Sequence, residues 1–106
     1  MSEIKIDTGL SQQDLKKIVA VICAEPKVKE LILFGSRAKG TYRVGSDIDL
    51  AINTKSELGF SALAQIKASL EELMLPYEID LLVLEKVSND DLVKHIARVG
   101  IVLSGE

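Results

Sequence analysis

"FGSRAKGTYRVGSDIDLAI", Phe34 to Ile52, sets a Gly-Ser pair, three cations and two aspartates between two apolar runs. Its second half reads as a strand. Asp47, Asp49 and Ala51 alternate with Ile48, Leu50 and Ile52, and because strand side chains alternate between faces, the two acids share one side and the large aliphatics the other. "VKELILF", Val28 to Phe34, is a second short apolar run, bounded by Pro26 and Gly35, which suits a buried strand. The polar stretch between them is then a loop at one end of a sheet.

Working outward, Ser11 with Asp14 resembles a capping box, and Leu15, Ile18, Val19 and Ile22 follow at helical spacing. A helix is expected from about Gln12 to Ala24, stopped by Pro26. From Glu57 to Met74, the residues Phe60, Leu63, Ile66, Leu70 and Leu73 make one apolar stripe of a long helix, read as core. Tyr77 to Leu84 reads as a third strand, with Glu78, Asp80 and Leu82 opposite Ile79, Leu81 and Val83. Ser88 with Asp91 suggests a cap for a last helix carrying Leu92, Val93, Ile96 and Val99, and Ile101 to Leu103 is either a short edge strand or a docked tail. The order α, β, loop, β, α, β, α predicts one α/β (α+β) domain over residues 1–106, a small sheet with helices packed on it.

Thirteen Lys and Arg against sixteen Asp and Glu leave a formal charge of -3, which argues against a broad polyanion-binding face, so no nucleic acid partner is expected. The single cysteine, Cys23, cannot form an internal disulfide, and the opening "MSEIKIDTGL" lacks a secretory pattern; a cytoplasmic protein is expected. No apolar run approaches the roughly 20 residues a membrane crossing needs. Cys23 reads as a small core residue, His95 as a partly buried helix residue, Tyr42 as a surface side chain of the loop and Tyr77 as packing.

The chemistry lies in the loop. A glycine directly after a strand lets main-chain N–H groups approach an anion, Ser36 adds a hydroxyl donor, and a helical turn starting there would aim its positive end at the same point. Neither GxxxxGK[ST] nor GxGxxG is present, and a strand followed by Gly-Ser can equally be an ordinary tight turn. The acids add to it. Two carboxylates held roughly 4–6 Å apart repel by a few kcal/mol, a cost that a hard divalent cation removes, and an oxygen-only donor set favours Mg²⁺ or Mn²⁺ over Zn²⁺. Asp80, inside an apolar strand, can complete a cluster of three if its strand lies beside that of Asp47 and Asp49.

Gly35-Ser36, ten intervening residues, Asp47-Ile48-Asp49, and a later Ile79-Asp80-Leu81 resemble the polymerase-beta-type nucleotidyltransferases, and more narrowly the minimal nucleotidyltransferases paired with helical HEPN partners. The resemblance runs from the first strand to the last helix. It implies a mixed sheet of three to four strands with flanking helices, ATP as substrate and two Mg²⁺ ions. Gly35, Ser36 and Arg37 would bind the nucleotide, with Arg37 on the phosphates and the leaving pyrophosphate, work suited to a guanidinium fork. Asp47, Asp49 and Asp80 would be the metal ligands and catalytic carboxylates, Asp80 also helping to deprotonate the acceptor hydroxyl. The implied activity is transfer of AMP to a partner protein of the HEPN kind, as antitoxin or paired subunit. A nucleotide-binding module that neutralises its partner by contact alone, and an adenylyltransferase of aminoglycoside-like molecules, are the alternatives. One domain of this size leaves no room for its own acceptor domain, which favours an acceptor supplied by a partner and leaves homo-oligomerisation open.

Overall fold

The computed structural model describes residues 8–105. The reading of the opening residues as free of a secretory signal therefore concerns positions outside the described residues. Four helices and four strands follow one another: α1 (Gln12–Cys23), β1 (Val28–Phe34), α2 (Gly35–Lys39), β2 (Ile48–Thr54), α3 (Phe60–Glu72), β3 (Ile79–Val83), α4 (Asp90–Val99) and β4 (Ile101–Gly105), with a 3-10 turn at Leu84–Lys86. The strands form one mixed sheet in the order β3-β2-β1-β4. β1 runs antiparallel to both β2 and β4, while β2 and β3 are parallel, so the chain needs a crossover between them, supplied by α3.

The expected strand periodicity decides the layers. Leu31 and Leu33 of β1, Ile48, Leu50 and Ile52 of β2, and Leu81 and Val83 of β3 all enter the larger core beneath α1 and α3, where Leu15, Ile18, Ile22, Ile66 and Leu70 meet them. The opposite face carries a smaller core: Phe34 and Ala51 pack with Ile96 of α4, joined by Ile32, Leu82, Leu92 and Val99. Two residues before Ala51 and Leu82 on that second face stand Asp49 and Asp80. One sheet surface is thus apolar under α4 and acidic just beyond it. Among the described residues no helix is long and apolar enough to cross a membrane.

The helix ends follow local chemistry. Ser11 caps α1, its hydroxyl accepting from the Asp14 N–H at 3.0 Å. α4 is capped by Asn89 rather than the expected Ser88, the Asn89 side chain accepting from the N–H groups of Asp91 and Leu92. α3 is shorter than its apolar stripe suggests: Phe60 is its first residue and lies 84% exposed, because a helical side chain leans toward the N-terminus and a helix start has no preceding turn for it to lie over. Cys23, the last residue of α1, is exposed and is not core. Ile101 to Leu103 belongs to an edge strand, paired with β1.

Candidate active site

Gly35 begins α2 directly after β1 and has φ of +75°, a conformation that costs an L side chain roughly 1–2 kcal/mol. Its neighbour across the sheet explains a second demand for glycine. Phe34 is paired with Asp49, and a Cβ on Gly35 would run into the Asp49 carboxylate. Glycine is required both by the turn and by the acid that lies over it. Gly35→Ala is expected to cost about 3 kcal/mol, strain and collision together; thermal denaturation of the single and of a Gly35→Ala, Asp49→Ala pair measures both, since removing the carboxylate should return the collision part and leave the strain.

Asp49 and Asp80 are register partners on the parallel pair β2 and β3, so their side chains leave the same face of the sheet at the same level. The sheet brings these two expected residues together as adjacent strands must. Asp47 lies one residue before β2, exposed in the loop, rather than on the strand. It still reaches the pair electrostatically. The Asp49 carboxyl is held above its ordinary pKa of 3.8, first by burial, then by the negative charges of Asp80 and Asp47. Among the described residues no three His, Cys, Asp or Glu side chains close into a metal-holding group. The donor chemistry nevertheless fits a hard cation: three carboxylates, one of them destabilised in its charged form by the other two, gain most from an ion that neutralises them.

The raised Asp49 pKa sets a pH dependence. Between the unfolded and the folded pKa the native chain holds more protons than the unfolded one, so stability falls as pH rises through that window. In metal-free buffer, denaturant titrations from acid toward neutral pH should show this decline, and Asp49→Asn should flatten it. Saturating Mg²⁺ should restore stability at neutral pH, as any ligand of the native state does.

Arg37 is where the structure departs from expectation. Instead of reaching outward for phosphates, it is buried at 2% exposure and holds the loop together. Its Nη2 and Nε donate to the Ser46 carbonyl at 2.8 and 3.3 Å, and Nη1 donates to the Thr8 carbonyl at 2.8 Å. The guanidinium lies between the rings of Tyr42 and Tyr77, 5.2 and 4.9 Å from their centroids. Every buried side-chain nitrogen and oxygen among the described residues has a partner. The physical reason is topological: a guanidinium fork can bridge two backbone segments that a short turn has left open, and Ser46 directly precedes Asp47. Thr8, Tyr77 and Ser46 thus serve the site through Arg37; the sequence signal for this was only a cation in a loop with a tyrosine nearby. Lys39 and Arg43 are exposed.

A glycine under a carboxylate, two acids in register and a third beside them are the parts of a site where a phosphate chain meets a cation. Known proteins resemble the chain in sequence and in shape. A curated relative from Haemophilus influenzae, "Probable protein adenylyltransferase MntA", is 42% identical over 57 residues, which cover 54% of this chain and 50% of the relative. The match therefore spans half the relative's length. A crystal structure of a toxin-antitoxin with AMP-PNP superposes with a TM-score of 0.71 at 26% identity, over 92% of this chain and 75% of that one. A complex of the tri-AMPylated Shewanella oneidensis HEPN toxin with its MNT antitoxin gives 0.69 at 23% identity, over 92% and 74% of the two chains, a likeness of fold. The model of the family described as "Polymerase beta, Nucleotidyltransferase" matches residues 16–106, from within α1 to the end of the sequence, and takes in the Gly-Ser turn and all three acids. On that match the chain belongs to the polymerase beta nucleotidyltransferase family.

Proposed function

We propose that this chain transfers AMP from ATP to a hydroxyl group of a partner protein, in a pair of the HEPN and MNT kind. The observation that carries the reading is the placement of Asp49 and Asp80 in register beside Gly35, with the Asp49 charge disfavoured by its acidic neighbours. Family membership, the named adenylyltransferase relative and the AMP-PNP-bound structural relative support it.

In this reading the N–H groups at Gly35 and Ser36 and the Ser36 hydroxyl receive the triphosphate. Asp47, Asp49 and Asp80 would hold Mg²⁺, which supplies charge neutralisation at the phosphates when bound. Asp80, exposed at the outer strand, takes the proton of the acceptor hydroxyl on a carboxylate oxygen. The acceptor oxygen bonds to the α-phosphorus, the bond from that phosphorus to the bridging oxygen breaks, and pyrophosphate departs with the electron pair. Arg37 keeps the Asp47 segment in place through the Ser46 carbonyl.

The test is incubation of the protein with Mg²⁺ and ATP labelled at the α-phosphate, together with the product of the neighbouring reading frame. Label on that product, lost in an Asp47→Asn, Asp49→Asn double variant, is the expected result. Neutralisation of the partner by the unlabelled double variant would instead identify a binding module, and label on a small metabolite alone would identify a small-molecule transferase.

A further inference from the structure

A cavity of about 430 Å³ opens where the end of α3 passes the outer side of β3. Leu70, Met74 and Leu75 form one wall, and Tyr77, Ile79 and Leu81 form the floor. That floor is a strand edge. β3 ends the sheet, and the Ile48 N–H donates to the Glu78 carbonyl at 2.8 Å, so residues 78 and 80 turn their amide groups toward β2. Direction alternates along a strand, so Ile79 and Leu81 turn theirs outward, and among the described residues no strand lies there to receive them.

Two further observations say what does. The rim carries Glu71, Glu78 and Asp80 against a single cation, Lys67, so it favours a basic ligand. The sheet order also sets Asp80, Asp49 and Phe34 in a row across three neighbouring strands, with Gly35 directly after Phe34 at the start of α2. In an in-line displacement the incoming oxygen and the leaving pyrophosphate stand on opposite sides of the α-phosphorus. With pyrophosphate over Gly35 and Ser36, the acceptor enters over Asp80, on the outer strand whose opposite face floors the cavity.

We propose that the outer edge of β3, with this cavity, docks an extended basic segment of the acceptor protein as a fifth strand, which brings the segment's hydroxyl to Asp80. The proposal rests on the transfer reading above and gives its acceptor a place. Main-chain hydrogen bonds to Ile79 and Leu81 supply affinity, and every second side chain of the segment enters the cavity between its apolar floor and wall. Met74, 86% exposed at a positive φ of 56°, offers an adaptable thioether at the rim.

Amide NMR of the ¹⁵N-labelled protein tests this with a capped peptide, Lys-Val-Tyr-Val-Lys-Val, whose valines share one face and whose lysines and tyrosine share the other, and its counterpart bearing Glu for every Lys. The basic peptide should shift the Ile79 and Leu81 resonances and the acidic one should not. A Glu71→Lys, Glu78→Lys variant, whose spectrum itself reports folding, should bind the basic peptide about fivefold more weakly. Absence of shifts along β3, or equal binding of both peptides, would overturn the proposal. A non-hydrolysable ATP analogue with Mg²⁺ is titrated separately. Shifts at Gly35 and Ser36 belong to the transfer reading; their absence beside a positive peptide result would sink that reading and leave the docking edge standing. Analogue-induced shifts at Leu75 and Tyr77 would assign the cavity to the nucleoside and remove the acceptor from it.

Discussion

Asp49→Asn is expected to lower AMP transfer by at least about 10³-fold while making the protein more stable. The loss follows from position: Asp49 stands between Gly35 and Asp80, so in the proposed transfer it would be the carboxylate shared by the phosphate side and the acceptor side. The gain follows from charge. Its ionised form is opposed by burial and by Asp80 and Asp47, and an amide of the same shape removes that repulsion, worth about 1 kcal/mol for unit charges some 4 Å apart in a water-like dielectric. For a domain of this size that is a rise of about 4–8 °C in Tm. Single-turnover transfer of labelled AMP and calorimetry in metal-free buffer measure the two effects. An unchanged Tm would mean that the acids do not feel one another, and unchanged transfer would remove Asp49 from the chemistry.

Arg37→Met has the second large effect, and of the opposite kind. Three hydrogen bonds to buried or half-buried carbonyls disappear, and the Thr8 and Ser46 oxygens are left without their charged donor. The expected cost is about 3 kcal/mol, seen as a fall of about 12–24 °C in Tm. Arg37→Lys should recover little, because one ammonium cannot serve two carbonyls that the fork spans. A phosphate-binding Arg37 would give another pattern: Tm unchanged in both variants, KM for ATP raised by Arg37→Met and largely rescued by lysine. Melting curves beside KM determinations separate the brace from the ligand.

What could be read in the sequence was whatever a period of two or a neighbouring residue governs. Asp47-Ile48-Asp49 and Ile79-Asp80-Leu81 declare their faces through strand alternation, and β1 begins and ends where Pro26 and Gly35 allow. Gly35 is legible as a turn glycine, but the carboxylate lying over it is a pairing between strands and leaves no local trace. The same limit hid the task of Arg37. Its partners Thr8, Ser46 and Tyr77 come from three separate segments, and beside Gly35-Ser36 a cation looks like a phosphate ligand whichever way it points. Phe60 and Cys23 fit their helical stripes yet sit at helix ends, where periodicity continues after the supporting layer has stopped. The outward amides of β3 depend on which strand is last in the sheet, a property of the whole topology.

The parallel pairing of β2 with β3 also bears on when the molecule becomes active. Antiparallel β1 and β2 can join early, as neighbours through a loop, whereas Asp80 reaches Asp49 only after α3 has crossed the sheet and docked. A nascent or partly unfolded chain therefore holds Asp49 and Asp80 apart, so the acidic pair assembles only with completion of the fold.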